Sequence, residues 1–263
     1  MTASDSTSDP LAEIPAATLV VFRHGRASAH PEILMVVRSK AMSFAGGAAV
    51  FPGGRVDEAD RDLGRSLSGN DLDVDEVSHR IAAIRETLEE TGLAIGFNET
   101  IDADEAAAAR AVLMESGRLS TVLDRYGWTL ALDKLIPFAR WLPRGITAHR
   151  IFDTRFYLAD TGTGEVDIRV DATENSRVFW TSAENALARA ETGELSLIFP
   201  TRRNLERLAQ FDSFAAAKAQ AERIPVRTIT PATREADGTM ILTIPDDCGY
   251  PVTSESFDTL QRG

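Results

Sequence analysis

Arg85-Glu86-Thr87-Leu88-Glu89-Glu90-Thr91-Gly92 closes a segment with helical periodicity. Val77, Ile81, Ile84 and Leu88 recur at spacings of four, three and four, which predicts a helix over 74–91 with Gly92 as its stop. At about 100° per residue, Glu86, Glu89 and Glu90 stand at i, i+3 and i+4 and put three carboxylates on one face, away from the apolar stripe. Like charges at these spacings cost a few tenths of a kcal/mol per pair on an isolated helix, and more when partly buried. A hard divalent cation, Mg²⁺ or Mn²⁺, would offset that repulsion and bridge to a phosphate. The plain alternative is an acidic helix face in solvent. Nearby residues argue against it: Phe51-Pro52-Gly53-Gly54 leads into Asp57, Glu58 and Asp60, and glycines there let backbone approach an ion or a phosphate closely.

Outward from the helix, TLVVFR (18–23) and ILMVVR (33–38) read as buried strands, joined by a turn-rich RHGRASAHPE that suits a hairpin. Four glycines and a proline within 44–54 forbid a long helix there and leave a loop with a short strand inside it. Residues 61–73 are polar and turn-like. Helices are expected at 103–116, 119–126, 182–191, 201–210 and 213–223, and strands at 135–142, 151–159, 165–170, 177–180 and 240–244. The order, with strands in the middle and helices in blocks, favours an α+β class over a doubly wound parallel sheet. Residues 1–13 are predicted to be a disordered tail, because the opening decapeptide is small and polar and ends in Pro10. The main domain is expected over 14–225, with 226–263 as a C-terminal extension packed on it.

The 263 residues carry 28 Lys+Arg against 40 Asp+Glu, a net charge of −12, which argues against capture of nucleic acid or of an anionic membrane by protein charge alone. One cysteine, Cys248, leaves no internal disulfide, and neither a signal peptide nor an 18-residue apolar run is present, so a cytoplasmic protein is the expectation.

Together the loop and the helix resemble the Nudix box, G-x5-E-x7-R-E-U-x-E-E-x-G-U with U a bulky apolar residue. The matching positions are Gly54, Arg85-Glu86, Glu89-Glu90, Gly92 and Leu93, with Thr87 in the first apolar slot. Asp60 stands where the box has its first glutamate, and 24 residues rather than seven separate it from Arg85, an insertion of 17. The resemblance runs over about 16–211 and, through the insertion (about 61–77) and a helical insert (about 103–127), is similar to the coenzyme A diphosphatase branch. It implies a Nudix fold, a mixed sheet sandwiched between helices and elaborated by helical insertions. It further implies Mg²⁺- or Mn²⁺-dependent hydrolysis of a diphosphate in a nucleoside diphosphate derivative. Glu86, Glu89 and Glu90 would hold the metal with the Gly54 carbonyl as a further ligand, and Arg85 would orient the glutamates. Glu86 or Glu174 would be the general base.

A second motif described for coenzyme A-cleaving members, L-L-T-x-R-[SA]-x3-R-x3-G-x3-F-P-G-G, is matched by Arg38, Ser39, Gly47, Phe51 and Gly53, with Ser43 in place of the second arginine. Lys40, Arg55, Arg150 and Arg155 are candidates to replace that charge. Coenzyme A or acyl-coenzyme A is therefore the leading substrate, giving 3′,5′-ADP and (acyl-)phosphopantetheine. ADP-ribose, NADH or a nucleotide sugar is the alternative, and a non-catalytic nucleotide-binding module another. The expected partner is this small diphosphate, with the chain a monomer or homodimer.

Two further features carry competing readings. Arg23-His24-Gly25 after an apolar strand is the short pattern of the histidine phosphatases, or simply a hairpin turn. Trp128, Trp141 and Trp180 could stack on a base, but large aromatics more often pack in a core.

Overall fold

The computed structural model describes residues 12–24, 30–41, 45–68, 73–144, 150–163, 175–236 and 238–257. The central pair of the sheet is β1 (Glu13–His24) and β6 (Ile151–Thr163), parallel along nearly their whole length, from Glu13↔Ile151 to His24↔Thr163. β5 (Ile136–Trp141) runs antiparallel to β6 on the far side, and β8 (Thr228–Ile229) pairs parallel with β5. Two strands share the other edge of β1, both antiparallel. β2 (Glu32–Arg38) pairs at the Phe22 end and β4 (Gly53–Arg55) at the Ala16–Thr18 end. β3 (Ala49–Val50) and β7 (Asn175–Thr181) pair with β2. The sheet is mixed, as expected.

Helices cover both faces, which explains why β1 and β2 read as continuous apolar runs rather than alternating ones. Ala17, Leu19 and Val21 face one core with Ile81, Ile84 and Leu88 of α2 (Val74–Thr91). That core also takes residues from α1 (Glu58–Leu67), α3 (Ala103–Ser116) and α4 (Leu119–Tyr126). Val20 and Phe22 face a second core, formed with α5 (Ala183–Glu191), α6 (Phe199–Leu208), α7 (Phe214–Arg223) and the buried Cys248 and Tyr250. Beyond β8, a separate three-stranded antiparallel sheet joins β9 (Ala232–Ala236), β10 (Thr239–Thr243) and β11 (Ser254–Ser256).

α2 ends as its sequence demands. Gly92 adopts φ 72, a left-handed conformation that favours glycine, and its N–H donates to the Leu88 carbonyl.

The structure corrects the turn-like reading of 61–73, because Glu58–Leu67 is a helix, α1. Asp57 stands at its N-cap, and the Asp60 side chain accepts from the Asp57 N–H at 2.9 Å. Leu63 is buried, and Gly64 lets α2 approach closely, since a Cβ there would lie 2.5 Å from Ser78 Oγ. The segment between Asp60 and Arg85 is therefore partly helical and is not only a longer loop. Glu13 already belongs to β1 rather than to a tail, because the parallel ladder with β6 reaches it. The strand expected at 165–170 lies outside the described residues.

Candidate active site

β4 is the hinge between the sheet and the acidic helix. It is held on β1 by Ala17↔Gly54 and Thr18↔Gly53, and the Leu19 N–H donates to the Pro52 carbonyl just before it. α2 packs directly on β4. The Gly53 N–H donates to Glu90 Oε2 at 3.0 Å. A Cβ on Gly54 would sit 2.3 Å from Glu86 Oε1, and one on Gly53 would sit 2.4 Å from the Ala17 carbonyl oxygen. Both glycines thus permit close approaches, one to a carboxylate and the other to the neighbouring strand.

Arg85 organises the cluster from beneath. Its guanidinium is buried and spends all three nitrogens. Nε and Nη2 donate to the two oxygens of Asp60 at 3.0 and 2.9 Å, Nη1 donates to Glu89 Oε2 at 2.8 Å, and Nη2 also donates to the Arg55 carbonyl at 2.9 Å. Nη1 lies 3.0 Å from Glu86 Oε1 as well. This bidentate hold on Asp60 is the strong, direction-fixing kind of ion pair. Asp60, with 1% exposure, is thus built into the site, a role that only its contact with Arg85 reveals.

Burial raises the Glu86 carboxyl to about 8, with Glu90 and Glu89 adding to the effect against the pull of Arg85. Burial also raises Glu89, again opposed by Arg85. Burial alone would lower the Arg85 guanidinium, but Glu86, Asp60 and Glu89 together raise it.

Among the described residues, no three His, Cys, Asp or Glu side chains are grouped as a ready-made ion cage. The donor chemistry nonetheless fits a hard divalent cation. Four carboxylates, Asp57, Glu86, Glu89 and Glu90, border one cavity, burial raises the proton affinity of Glu86, and Arg85 pairs with Asp57, Glu86 and Glu89.

That cavity has a volume of about 700 Å³. Glu86, Glu89, Glu90 and Asp57 lie along one wall, Arg38, Arg55 and Arg150 also line it, and Phe51, Trp141, Phe152 and Phe156 supply apolar surface. Thr18, Thr154 and Thr201 add polar groups.

Of the residues expected at the site, the structure brings Gly53, Gly54, Arg85, Glu86, Glu89, Glu90, Arg38 and Phe51 to this one cavity. Ser39 and Gly47 do not border it. Gly47, at φ 83, turns the chain so that its N–H donates to the Arg38 carbonyl. Glu174 and Ser43 lie outside the described residues. Among the replacement cations, Arg55 and Arg150 line the cavity, whereas Arg155 is on the other sheet face and pairs with Glu76 at 2.6 Å and with Asp75.

The histidine reading finds no support in the geometry. The cavity meets β1 at Ala16 and Thr18, and His24 stands six residues further along, roughly 20 Å away. Of the tryptophans, Trp128 packs on Phe97 and Tyr126, and Trp180 lies under Arg23. Trp141 borders the cavity, with its Nε1–H donating to Tyr250 Oη at 3.0 Å. Asp57, singled out beside the glycine loop, lines the cavity too; Thr154 and Thr201 have nothing in their local sequence to distinguish them, and sheet register and helix placement bring them in.

No protein-family model matches the chain. A curated Caenorhabditis elegans protein that bears a nudix hydrolase name is 28% identical over 181 residues, and the match spans 68% of this chain but only 56% of that protein. The crystal structure of a NUDIX hydrolase from Alicyclobacillus acidocaldarius is 30% identical, covers 80% of this chain and 96% of its own, and superposes with a TM-score of 0.67.

Proposed function

We propose a function for this chain from one premise: it belongs to the Nudix hydrolase family. The proposed reaction is hydrolysis of a diphosphate linkage in a nucleoside diphosphate derivative, with coenzyme A or acyl-coenzyme A as the leading substrate and Mg²⁺ or Mn²⁺ as cofactor. The single observation that carries it is the convergence, on one cavity, of three glutamates, two of them anchored by a buried arginine, and of Arg38, Arg55 and Arg150.

Glu86, Glu89 and Glu90 would hold the cation, with the Gly54 carbonyl as a further ligand. When bound, the cation supplies charge neutralisation for the phosphoryl oxygens and a more acidic water. Arg85 fixes the rotamers of Glu86 and Glu89, so that their oxygens need no reorganisation during the reaction. A Glu86 oxygen not engaged by the cation would accept the proton of the attacking water. Arg38, Arg55 and Arg150 bind the diphosphate. Phe51, Phe152 and Phe156 exclude water around it.

Coenzyme A is favoured over ADP-ribose, NADH or a nucleotide sugar because Arg38, Phe51 and Gly53 keep the second motif's spacing and border the cavity, while Arg55 and Arg150 offer cations in place of the missing second arginine. A panel of coenzyme A, acyl-coenzyme A, ADP-ribose, NADH and nucleotide sugars, with mass detection of products, tests this. Release of 3′,5′-ADP and phosphopantetheine is expected. Turnover of ADP-ribose or NADH in preference to coenzyme A would replace the substrate, and binding without turnover of any member would favour the non-catalytic module.

Cation binding should also be coupled to protons. The carboxyl of Glu86 titrates at about 8 without an ion, so below that pH binding must expel its proton. Apparent affinity for Mn²⁺ is expected to rise up to about tenfold per pH unit towards pH 8 and then level off. Calorimetry in buffers of different ionisation enthalpy should count close to one proton released at pH 7. A pH-independent affinity between 6 and 8 would remove Glu86 from the ligand set.

A further inference from the structure

Opposite the glutamates, the first turn of α6 reaches the same cavity. Ile198, Pro200 and Thr201 line it, whereas the later residues Arg203 and Arg207 turn away to bond Glu255 and the Phe138 carbonyl. The turn is uncapped: Ile198 at the N-cap offers no side-chain acceptor, and no acidic residue stands in the first turn. Pro200 has no N–H, so the donors at this end are the amides of Phe199 and Thr201, and neither has an acceptor among the described residues.

Thr201 is the second, independent observation. Its side chain is 3% exposed, yet its hydroxyl makes no hydrogen bond with any described residue, and it is not among the atoms wholly sealed from solvent. Since Thr201 lines the cavity, what surface that hydroxyl keeps opens into it. Buried hydroxyls in native proteins are nearly always bonded, so one left open towards a cavity marks a missing partner.

The partner's chemistry follows from its neighbours. Two backbone amides and a hydroxyl meet at the positive end of a ten-residue helix that lines the cavity. All are donors, and together they suit a phosphate. Position excludes the scissile diphosphate itself. Phe199 packs on Trp141 of β5, ring centroids 5.8 Å apart, and the sheet order β4-β1-β6-β5 puts three strand spacings, about 14 Å, between that strand and Gly53. The two phosphorus atoms of one diphosphate share a single oxygen and cannot span that distance.

We propose that the first turn of α6, with the Thr201 hydroxyl, is a phosphate-binding subsite for a further phosphate group carried by the substrate away from the bond that is cleaved. This deepens the functional reading above and rests on it for the identity of the substrate.

The test is binding without turnover. Calorimetry on the full chain without metal compares 3′,5′-ADP, which carries a phosphate on the ribose, with 5′-ADP, which lacks it. The expected result is at least a tenfold preference for 3′,5′-ADP, reduced to near unity in Thr201→Val and retained in Thr201→Ser. Inorganic phosphate that competes with 3′,5′-ADP but not with 5′-ADP would place a free phosphate in the same subsite and support it. Equal affinity of the wild-type chain for the two nucleotides, or a preference untouched in a folded Thr201→Val, would overturn it. A chain that keeps the preference but cleaves none of the diphosphates would leave the subsite standing and sink the proposed reaction; cleavage without the preference would do the reverse.

Discussion

Glu89→Gln and Glu90→Gln are each expected to lower kcat by about 10²–10³-fold or more, with the fold intact. Glutamine keeps the shape and an acceptor oxygen but loses the charge. In Glu90→Gln the amide oxygen still takes the Gly53 N–H bond, so β4 should stay docked on α2. In Glu89→Gln the Arg85 Nη1 contact weakens from an ion pair to a neutral-acceptor bond, while the hold of Arg85 on Asp60 persists. Steady-state kinetics at saturating Mn²⁺, with thermal unfolding as the control for structure, separates the lost chemistry from lost stability. Near-unchanged kcat in both variants would remove these carboxylates from the cation site.

Asp60→Ala should have the largest effect on stability. Arg85 is 3% exposed and Asp60 1%, so removing the carboxylate strands a buried guanidinium with two of its donors unanswered. Breaking one side of a buried pair costs about 3–5 kcal/mol, which for a chain of this length lowers Tm by roughly 6–20 °C. The remaining contacts of Arg85 to Glu86 and Glu89 pull towards the low end of that range, at the expense of drawing those carboxylates away from an ion. Activity should therefore fall with stability. Asp57→Ala is the comparison: it leaves the bidentate pair intact and removes only the longer, half-exposed contact of Asp57 with Arg85 at 3.7 Å, and about 1 kcal/mol or less is the expected cost. A Tm for Asp60→Ala within 2 °C of the Asp57→Ala value would mean that Asp60 serves the cap alone.

These two residues also mark how far the sequence could be read. The helix over 74–91 was legible because apolar periodicity, three like charges on one face and a terminal glycine all point the same way. The mixed sheet between helices followed from the order of elements and from the box. α1 was not legible, although Asp57-x-x-Asp60 has the form of a capping box, because the polar run after it hides a helix whose only apolar anchors are Leu63 and the packing of Gly64 on Ser78. The glutamate wall of the cavity could be named from spacing within one helix. The opposite wall could not: Thr154 and Thr201 belong to elements far apart in the chain, and only the β5–β6 register and the packing of Phe199 on Trp141 bring them near each other. Local patterns carry local geometry; residues that meet by topology leave no trace in their own neighbourhood.

The long ladder between β1 and β6 has a consequence for how the chain is made. Its partners are about 138 positions apart, as in Glu13↔Ile151. A ribosome adding about 5–20 residues per second needs roughly 7–28 s to go from the first strand to its mate. During that interval β1 has only β2 and the β4 segment to cover one edge, while its other edge and its apolar residues wait. The emerging chain must therefore hold a half-built sheet whose open side is a template for wrong pairing. The acidic helix is made in the same interval, whereas the cavity is complete only after β6 has brought Phe152 and Thr154 and the first turn of α6 has brought Ile198, Pro200 and Thr201.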